Sequence, residues 1–449
     1  MDIKSIFAVV ATGSALLALA AVPNVTGVTM TQTNDRLVTI NYTLSDAPAV
    51  ITVDVQTNDA NGGWASIGGE AIWNAMGDVW KKVESGETAK TITWRPDHTW
   101  PDHKIEGNNT RAVVTAWPLE NTPDYMVVDI TGVPASDVVR YYPGADYLPK
   151  SSFKQAGAAI TNNPAYKTTK FLMRKIMARG VEWRMGSARE TGRNTTNEDP
   201  HLVTLDKNYY IGVFEVTQAQ WQWITGYSYQ QFTTQQTMRP YDFASYTDIR
   251  QGDGSSKYSE DGNVSAPATG GEYPAEPYSE SFLGLLRTKT GIDFDLPSEA
   301  QWEFAARAGH GEGHWGDGST MNISNEQDTN LNRISRYKKN PTGMPATPSF
   351  TVAPDEGGTA IVGSFQPNSW GLYDMTGNML ELCLDYYKVD ITGLKGAVNT
   401  QVETATSHVA KGGGWSSPVA SNRPAYRGGR TNKRYNIYGF RVVCTAGIK

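Results

Sequence analysis

The first third of the chain alternates between apolar and polar residues with a period of two. The alternation occurs in runs at 38–44, 50–55, 91–94, 111–117 and 125–130, which are separated by clusters of Asp, Asn, Gly, Ser and Pro. A period of two is that of a strand with one buried face. About seven short strands without a sustained helical pattern are typical of two packed sheets. The pattern therefore predicts an all-β sandwich of the immunoglobulin or fibronectin type over residues 21–131.

Six tryptophans lie within or beside these runs: Trp64, Trp73, Trp80, Trp94, Trp100 and Trp117. Indole is a large apolar group that fills a sandwich core, where its N–H needs a partner inside the protein. Trp94 and Trp117 lie inside strand patterns, which favours packing in the core or between domains. A platform on which a carbohydrate stacks is the alternative interpretation.

The first 20 residues have the anatomy of a secretory signal peptide. Lys4 supplies a positive charge, an apolar run follows from residue 6 to residue 19, and Ala18-Leu19-Ala20 has the spacing of a cleavage site. We expect cleavage before Ala21 and export to a secreted, periplasmic or cell-surface location. An uncleaved anchor is disfavoured because the run is short for a span. No later window is apolar enough, so we expect no membrane span after cleavage.

Residues 132–166 contain four prolines and no sustained period, and they are predicted to be a linker. Beyond them, helix-end signals predict three helices. The capping-box pattern, Thr or Ser followed three residues later by Gln, occurs at Thr217 and at Ser298. The predicted helices are 219–225, 279–290 and 302–308, and each is followed by a glycine. A Gly-, Ser- and Asp-rich stretch at 251–272 is predicted to be a polar insertion.

The length and the charged-residue content limit which molecules the protein is expected to bind and how many domains it has. The 449 residues include 40 basic and 46 acidic residues, a formal charge of −6, and the two signs are mixed along the chain. Because no basic stripe is available to neutralise phosphates, we expect no nucleic-acid partner. The length predicts two or three domains. Two cysteines are too few for a disulfide scaffold.

A series of collinear motifs marks the last two-thirds of the chain. They are W-R-M-G-S at 183–187, E-V-T at 215–217, L-P-S-E-A-Q-W-E-F at 296–304, W-G-L-Y-D-M at 370–375, G-N-M-L-E-L at 377–382, G-G-G-W at 412–415 and G-F-R at 439–441. Their content and order resemble the formylglycine-generating-enzyme family, also called sulfatase-modifying factors. The resemblance implies an α+β, C-type-lectin-like fold with long irregular loops over residues 167–449.

The resemblance also implies calcium. Asp374 and Glu381 would supply side-chain oxygens, and Gly377 and Met379 would supply backbone carbonyls. A hard cation of this kind takes six to eight oxygens, and a tight turn can provide several of them. A second site of the family would fall on Asn332 and on Asp355 or a neighbour. The alternative interpretation is that the carboxylates cap local turns.

The family's oxidase activity needs two thiolates near the C-terminus that bind one copper(I) ion. Soft sulfur ligands select copper(I), and serine cannot replace them. The corresponding stretch here begins at Trp415 and contains Ser417 and Ser421, and no cysteine occurs between Leu384 and Val443. We therefore expect no copper cofactor. The histidines of this domain, among them His201, His310 and His408, are interpreted as surface or turn residues.

The chain's two cysteines, Cys383 and Cys444, follow the G-N-M-L-E-L and G-F-R motifs. If the fold matches the family, they lie on neighbouring elements, and an exported protein favours a disulfide between them. Closing that loop would stabilise the fold by roughly 4 kcal/mol. A copper dithiolate made by this pair is the alternative.

Together these observations predict an exported, non-catalytic member of the family that binds an unknown protein or glycan ligand outside the cytoplasm. The rival hypothesis is an oxidase or another enzyme that uses a different residue set in the same cleft. That set is Trp415, Ser417, Ser421, Arg423, Arg427 and Arg434. A structural subunit of the periplasm or outer membrane is a third hypothesis. Fold alone does not decide among them.

Overall fold

The structure is a computed structural model. It describes residues 21–33, 36–58, 62–103, 105, 109–155, 158–228, 237–251, 276–323, 327–340, 358–393, 407–431 and 433–448. The predicted signal peptide, most of the predicted polar insertion and Asp355 lie outside these ranges. Among the described residues, no helix combines the length and the apolar character that crossing a membrane requires.

The strands up to residue 118 form two sheets around one apolar core. They are β1 (Asn24–Gln32), β2 (Val38–Ser45), β3 (Ala49–Asn58), β4 (Trp64–Ser66), β5 (Met76–Gly77), β6 (Lys82–Val83), β7 (Gly86–Trp94) and β8 (Thr110–Pro118), with the one-turn helices α1 (Gly69–Ile72) and α2 (Pro96–Thr99) between them. One sheet has the order β1-β2-β7-β5, and in the other β3 pairs with β4, β6 and β8. Every second residue of β2 is buried, as the period of two predicts. The immunoglobulin or fibronectin type of this region stays a prediction.

Two of the six tryptophans take the core position that their patterns favour. Trp80 and Trp94 are buried in the cluster formed by β2, β3 and β7. Their indole N–H groups donate to the backbone carbonyls of Ala75 and Ala71, at 3.1 and 2.9 Å. These bonds satisfy the one polar atom of each side chain, so Trp80 and Trp94 serve packing and not ligand stacking.

The remaining elements are mostly short strands separated by long loops. The strands are β9 (Tyr125–Asp129), β10 (Val139–Tyr142), β11 (Lys170–Ile176), β12 (Glu182–Met185), β13 (His201–Thr204), β14 (Tyr209–Gly212), β15 (Leu380–Tyr386), β16 (Ser407–Lys411), β17 (Gly428–Thr431), β18 (Tyr438–Gly439) and β19 (Val443–Thr445). The helices are α3 (Ala159–Asn162), α4 (Gln218–Thr225), α5 (Phe282–Thr290), α6 (Glu299–Arg307) and α7 (Leu331–Ile334), and Thr247–Gln251 forms a π-helical turn. The fold is mixed α and β and is dominated by sheets.

The last strand run that we assigned to the sandwich belongs to a different sheet. β9 pairs with β10 and with β11 in a five-stranded sheet of order β10-β9-β11-β14-β19. β10 lies inside the stretch that was predicted to be a linker. The period of two was correct for β9, but a period does not say which sheet a strand joins. The linker prediction was wrong for Val139–Tyr142, where the edge strand β10 forms.

The three predicted helices are confirmed, and their end signals work as expected. Thr217 and Ser298 each accept from the backbone N–H three residues later, and Gln220 and Gln301 complete the two capping boxes. Gly226 and Gly291 end α4 and α5 in the left-handed conformation. The end of α6 differs by one residue, because Ala308 takes the left-handed conformation there, with a φ of 48°.

The closing motifs meet in a four-stranded sheet of order β17-β16-β15-β18. Leu380 and Glu381 of the G-N-M-L-E-L motif pair in parallel with Tyr438 and Gly439. A turn before β15 brings Gly377, at a φ of 76°, against Ser335 and Arg336, where a Cβ atom would lie 2.0 Å from the Ser335 hydroxyl oxygen. Only glycine fits this position, which fixes how the turn enters the sheet.

Candidate functional site

Residues 374–381, the turn before β15 and its first residues, contribute to a buried cluster of three carboxylates and one guanidinium. Glu215, Asp374, Glu381 and Arg441 are each at most 2% exposed. Arg441 donates to both oxygens of Glu381, at 2.6 and 2.7 Å. The indole N–H of Trp302 donates to the same carboxylate at 2.8 Å. Glu381 is therefore fully hydrogen-bonded by protein groups.

The other two carboxylates are bound less completely. Glu215 accepts from the side-chain amide of Asn378 and from the backbone N–H of Met379, at 2.6 and 2.9 Å. Asp374 accepts from the backbone N–H of Gly363 at 2.7 Å, and none of the described residues hydrogen-bonds to its Oδ1. Burial raises the pKa of Asp374 to about 6. Burial, together with the charges of Asp374 and Glu381, raises the pKa of Glu215 as well.

This arrangement brings the predicted ligands Asp374 and Glu381 together, but it does not fit calcium as it stands. Both oxygens of Glu381 are occupied by Arg441 and Trp302. A calcium ion would have to displace a guanidinium that already neutralises this carboxylate. Across the described ranges, no group of three or more His, Cys, Asp or Glu side chains is placed to hold a metal ion. Calcium stays a prediction, and Asp374 is the one member of the pair with an oxygen to offer.

The second predicted calcium site is represented by Asn332 alone, because Asp355 lies outside the described residues. The side-chain oxygen of Asn332 accepts from the hydroxyl of Tyr337 at 2.6 Å. Its backbone N–H donates to Asp328 at 3.0 Å. These contacts account for Asn332 as part of the local packing around α7.

The arginines of the predicted cleft are buried inside ion pairs. Arg423 donates to Glu190 at 2.9 Å and to Glu198 at 2.7 Å. Arg427 contacts both oxygens of Glu299, at 2.5 and 2.8 Å. Arg434 donates to the carboxylate of Asp248, with one contact at 2.6 Å. Guanidinium groups held in this way are not free to bind a substrate, so these three residues stabilise the domain.

The ion pairs continue into α6 and β16. Lys411, fully buried, contacts Glu303 at 2.9 Å and Glu299 at 3.5 Å. Arg307 donates to Glu303 at 2.9 Å. Although burial alone would raise it, the charges of Lys411 and Arg307 lower the pKa of Glu303 to about 2. The network connects α6 to the closing strands and to the loop before β13.

A sequence signal for this network existed and was missed. Glu299 and Glu303 are one helical turn apart on α6, so they lie on one face of the helix. Their neighbours Ala300, Trp302 and Phe304 mark the helix as buried. Two carboxylates on a buried helix need buried cations, and Lys411 and Arg427 are the nearby basic residues of the closing motifs.

The remaining residues of the predicted cleft form the loop after G-G-G-W. Trp415 is half-buried, and its indole N–H donates to the backbone carbonyl of Asn436 at 2.9 Å. The Ser417 hydroxyl accepts from the backbone N–H of Gly414 at 3.0 Å. The backbone N–H of Ser421 donates to Pro418. These contacts shape the turn.

The predicted disulfide does not form. Cys383 and Cys444 are both free thiols and both buried. Cys383 lies in β15 and belongs to one apolar cluster, whereas Cys444 lies in β19, opposite Tyr210, and belongs to another. The motifs that precede the two cysteines are adjacent, but their strands continue into different sheets. Burial raises the pKa of both thiols, which makes each of them inert.

Thiol titration checks this correction. In non-reducing denaturant, the purified protein is expected to release two reactive thiols per chain. The native protein should react slowly, because both sulfurs are buried and protonated. If the unfolded protein contained no reactive thiol, the disulfide prediction would be correct after all.

Two of the histidines that were interpreted as surface residues are buried. His408 is 3% and His201 is 7% exposed. His408 stacks between Tyr246 and Tyr386, with ring centroids 3.3 and 4.5 Å away, and burial lowers its pKa to about 3. A neutral imidazole between two rings serves packing.

Comparison with known proteins agrees with the motifs. Residues 165–446 match the sulfatase-modifying factor enzyme 1-like domain, which is well over half of the chain. The protein therefore belongs to this family.

Two curated relatives show how far the similarity extends. A chaperone protein, LppX, of Paenibacillus barcinonensis is 26% identical over 255 residues, which cover 54% of this chain and 81% of the relative. The formylglycine-generating enzyme of Thermomonospora curvata is 32% identical over 123 residues, which cover 26% of this chain and 37% of the enzyme. The match to the enzyme is thus confined to a part of its length.

Two solved structures are also similar. Treponema denticola variable protein 1 aligns at 20% identity with a TM-score of 0.45, over 62% of this chain and 96% of that protein. PvdO from Pseudomonas aeruginosa aligns at 20% identity with a TM-score of 0.45, over 61% of this chain and 94% of that protein.

Proposed function

We propose that this protein is an exported, non-oxidative member of the sulfatase-modifying-factor family that binds another molecule outside the cytoplasm. The observation that carries the proposal is where the cysteines lie in the sequence and in the fold. The segment that would hold the family's two copper thiolates contains serines and no cysteine. The two cysteines of the chain are buried in separate clusters, so they do not form a dithiolate together.

The contacts of the predicted cleft residues support the binding role over the rival enzyme hypothesis. Its arginines, Arg423, Arg427 and Arg434, are bound to buried carboxylates. A binding role needs only a rigid scaffold and an open surface, and the buried ion pairs supply the rigidity. The relative described as a chaperone protein supports a binding role for this domain type. The N-terminal sheets would then act as a sandwich-type spacer or as a second binding domain.

Metal analysis and an activity assay test the proposal on the same purified sample. We expect no stoichiometric copper, and no oxidation of a cysteine-containing sulfatase peptide in aerated buffer with added copper(I). An active formylglycine-generating enzyme, assayed in parallel, is the positive control. Copper at one per chain together with peptide oxidation would overturn the proposal. The same analysis measures calcium, and one tightly held calcium per chain that is lost in an Asp374→Ala variant would show that Asp374 binds a metal.

A further inference from the structure

A cavity of about 540 Å³ lies at the C-terminal end of α6. Its walls come from β12, from the end of α6 and from the glycine-rich loop 309–313. None of its lining residues was among the site residues predicted from sequence. A cavity of this size can enclose a ligand of one or two sugar rings.

The lining offers hydrogen-bond donors without partners. Arg184 and Arg189 are exposed, and within the described part of the chain neither guanidinium makes an ion pair or hydrogen bond. The indole N–H of Trp183, also a lining residue, is buried and has no hydrogen-bond partner among the described residues. The two exposed guanidinium groups can donate to a ligand.

Of the two carboxylates in the same cavity, Glu190 has a cationic partner and Glu312 is held by backbone N–H groups through one oxygen. Glu312 accepts from the backbone N–H groups of Ala188 and Arg189, at 3.1 and 2.9 Å. Glu190 is neutralised by Arg423 at 2.9 Å. The two exposed guanidinium groups of Arg184 and Arg189 outnumber the one carboxylate without a cationic partner among the described residues, Glu312, so the cavity is complementary to an anion.

The apolar part of the lining is aromatic. The rings of Trp183 and Phe304 have centroids 5.3 Å apart, and Trp370 packs on Phe304 at 5.2 Å. Aromatic faces provide rigid apolar contact area. At the mouth, Gly309 and Gly311 are exposed and present their backbone to a ligand. Backbone N–H and carbonyl groups can hydrogen-bond to the hydroxyls of a ligand, which act as both donors and acceptors.

We propose that this cavity binds a uronic acid residue, a sugar ring that carries a carboxylate. The carboxylate pairs with Arg184 and Arg189, the ring lies against the aromatic wall, and the hydroxyls meet the glycine loop. The proposal rests on the binding role proposed above and names its ligand class. It is independent of the sulfur argument, so its failure would leave the non-oxidative assignment intact.

Isothermal titration of the full chain with trigalacturonate tests the site. The matched ligand is the methyl ester of the same trisaccharide, which has the same rings without the charge. The test variant is Arg184→Gln with Arg189→Gln, and the control is Arg179→Gln, an exposed arginine outside the cavity. Because the mutated side chains are exposed, all variants are expected to fold.

We expect the wild type and the Arg179 variant to bind trigalacturonate equally. The double variant should bind about tenfold or more weakly, as loss of charge-assisted hydrogen bonds implies. The methyl ester should bind the wild type more weakly than trigalacturonate does, by a similar factor. Absence of trigalacturonate binding at millimolar concentration, or equal binding by the double variant, would overturn the site. Preference for a glutamate-rich peptide over the trisaccharide would show that the sugar assignment is wrong.

Discussion

Replacement of Arg441 by methionine is expected to destabilise the C-terminal domain by about 3–5 kcal/mol, the range observed when one partner of a buried ion pair is removed. Arg441 is fully buried and is the guanidinium bonded to Glu381. It also donates to the backbone carbonyls of Gly212 and Tyr373, at 2.9 and 3.0 Å. Methionine leaves three buried carboxylates facing one another and two carbonyls without donors.

Urea unfolding followed by tryptophan fluorescence measures the effect. The matched control is Arg333→Met, which removes a surface pair with Asp317 in which the arginine side chain is 48% exposed. That control should change the free energy of unfolding by less than about 1 kcal/mol. A second change, Glu381→Gln, should recover part of the loss in the Arg441 variant, since it removes the carboxylate left unpaired. If the Arg441 and Arg333 variants were equally stable, the cluster would not be bound as described.

Unfolding of the wild type with and without a chelator distinguishes a cluster neutralised by Arg441 from one that holds calcium. If the guanidinium is the cation that neutralises Glu381, excess chelator should leave the unfolding transition of the wild type unmoved. A shift on chelation would mean that a bound ion raises the stability of the folded state by linkage. Asp374, with its free Oδ1, would then be the residue to mutate first.

Local signals in the sequence were sufficient for the helices and for most strands. The ends of α4 and α5 are encoded by a few consecutive residues, Thr217 with Gln220 and a following glycine, and such signals do not depend on distant contacts. β2 is recognisable because every second residue faces one core. The motif order also identified the family.

Features that depend on long-range pairing were predicted poorly. Tyr125–Asp129 has a correct strand pattern, but its partner strand is β11, some 45 residues later. Cys383 and Cys444 follow adjacent motifs, yet Cys383 lies in β15 of the closing sheet and Cys444 lies in β19 of the five-stranded sheet. Arg423 and Arg427 look like ligands for a substrate because the sequence shows their charge and not the glutamates that face them. Burial and partner identity are properties of the fold as a whole.

The second large effect is expected at Asp385 in β15. Its side chain is 1% exposed, its Oδ2 accepts from the backbone N–H of Glu299 at 2.6 Å, and its Oδ1 has no hydrogen-bond partner in the described part of the chain. Burial, and then the negative charge of Glu299, raise its pKa to about 7, and Arg427 only partly offsets this. The folded protein must therefore hold a carboxylate that prefers to be protonated.

The sign of the pH dependence follows from this raised pKa. The folded state binds a proton at Asp385 more tightly than the unfolded chain does. The contribution of Asp385 to the free energy of unfolding is therefore fully present below the unfolded pKa near 4. It falls as the pH rises from about 4 to about 7 and stays reduced above 7. Glu303 has the opposite dependence, because its lowered pKa makes it lose stability only as the pH falls below about 4.5 toward 2.

Asp385→Asn removes the charge and keeps an oxygen for the Glu299 N–H. At pH 8 the variant should be more stable than the wild type, with roughly 4 kcal/mol as an upper bound from the pKa difference. Near pH 4 the difference should nearly vanish, because Asp385 is then protonated in the folded protein and about half protonated in the unfolded chain. Denaturant unfolding at pH 4, 6 and 8 measures the convergence, with the exposed Asp390→Asn as the control that should gain nothing. An Asp385 variant that is less stable than wild type at pH 8 would show that the carboxylate is charged and stabilised in the folded protein.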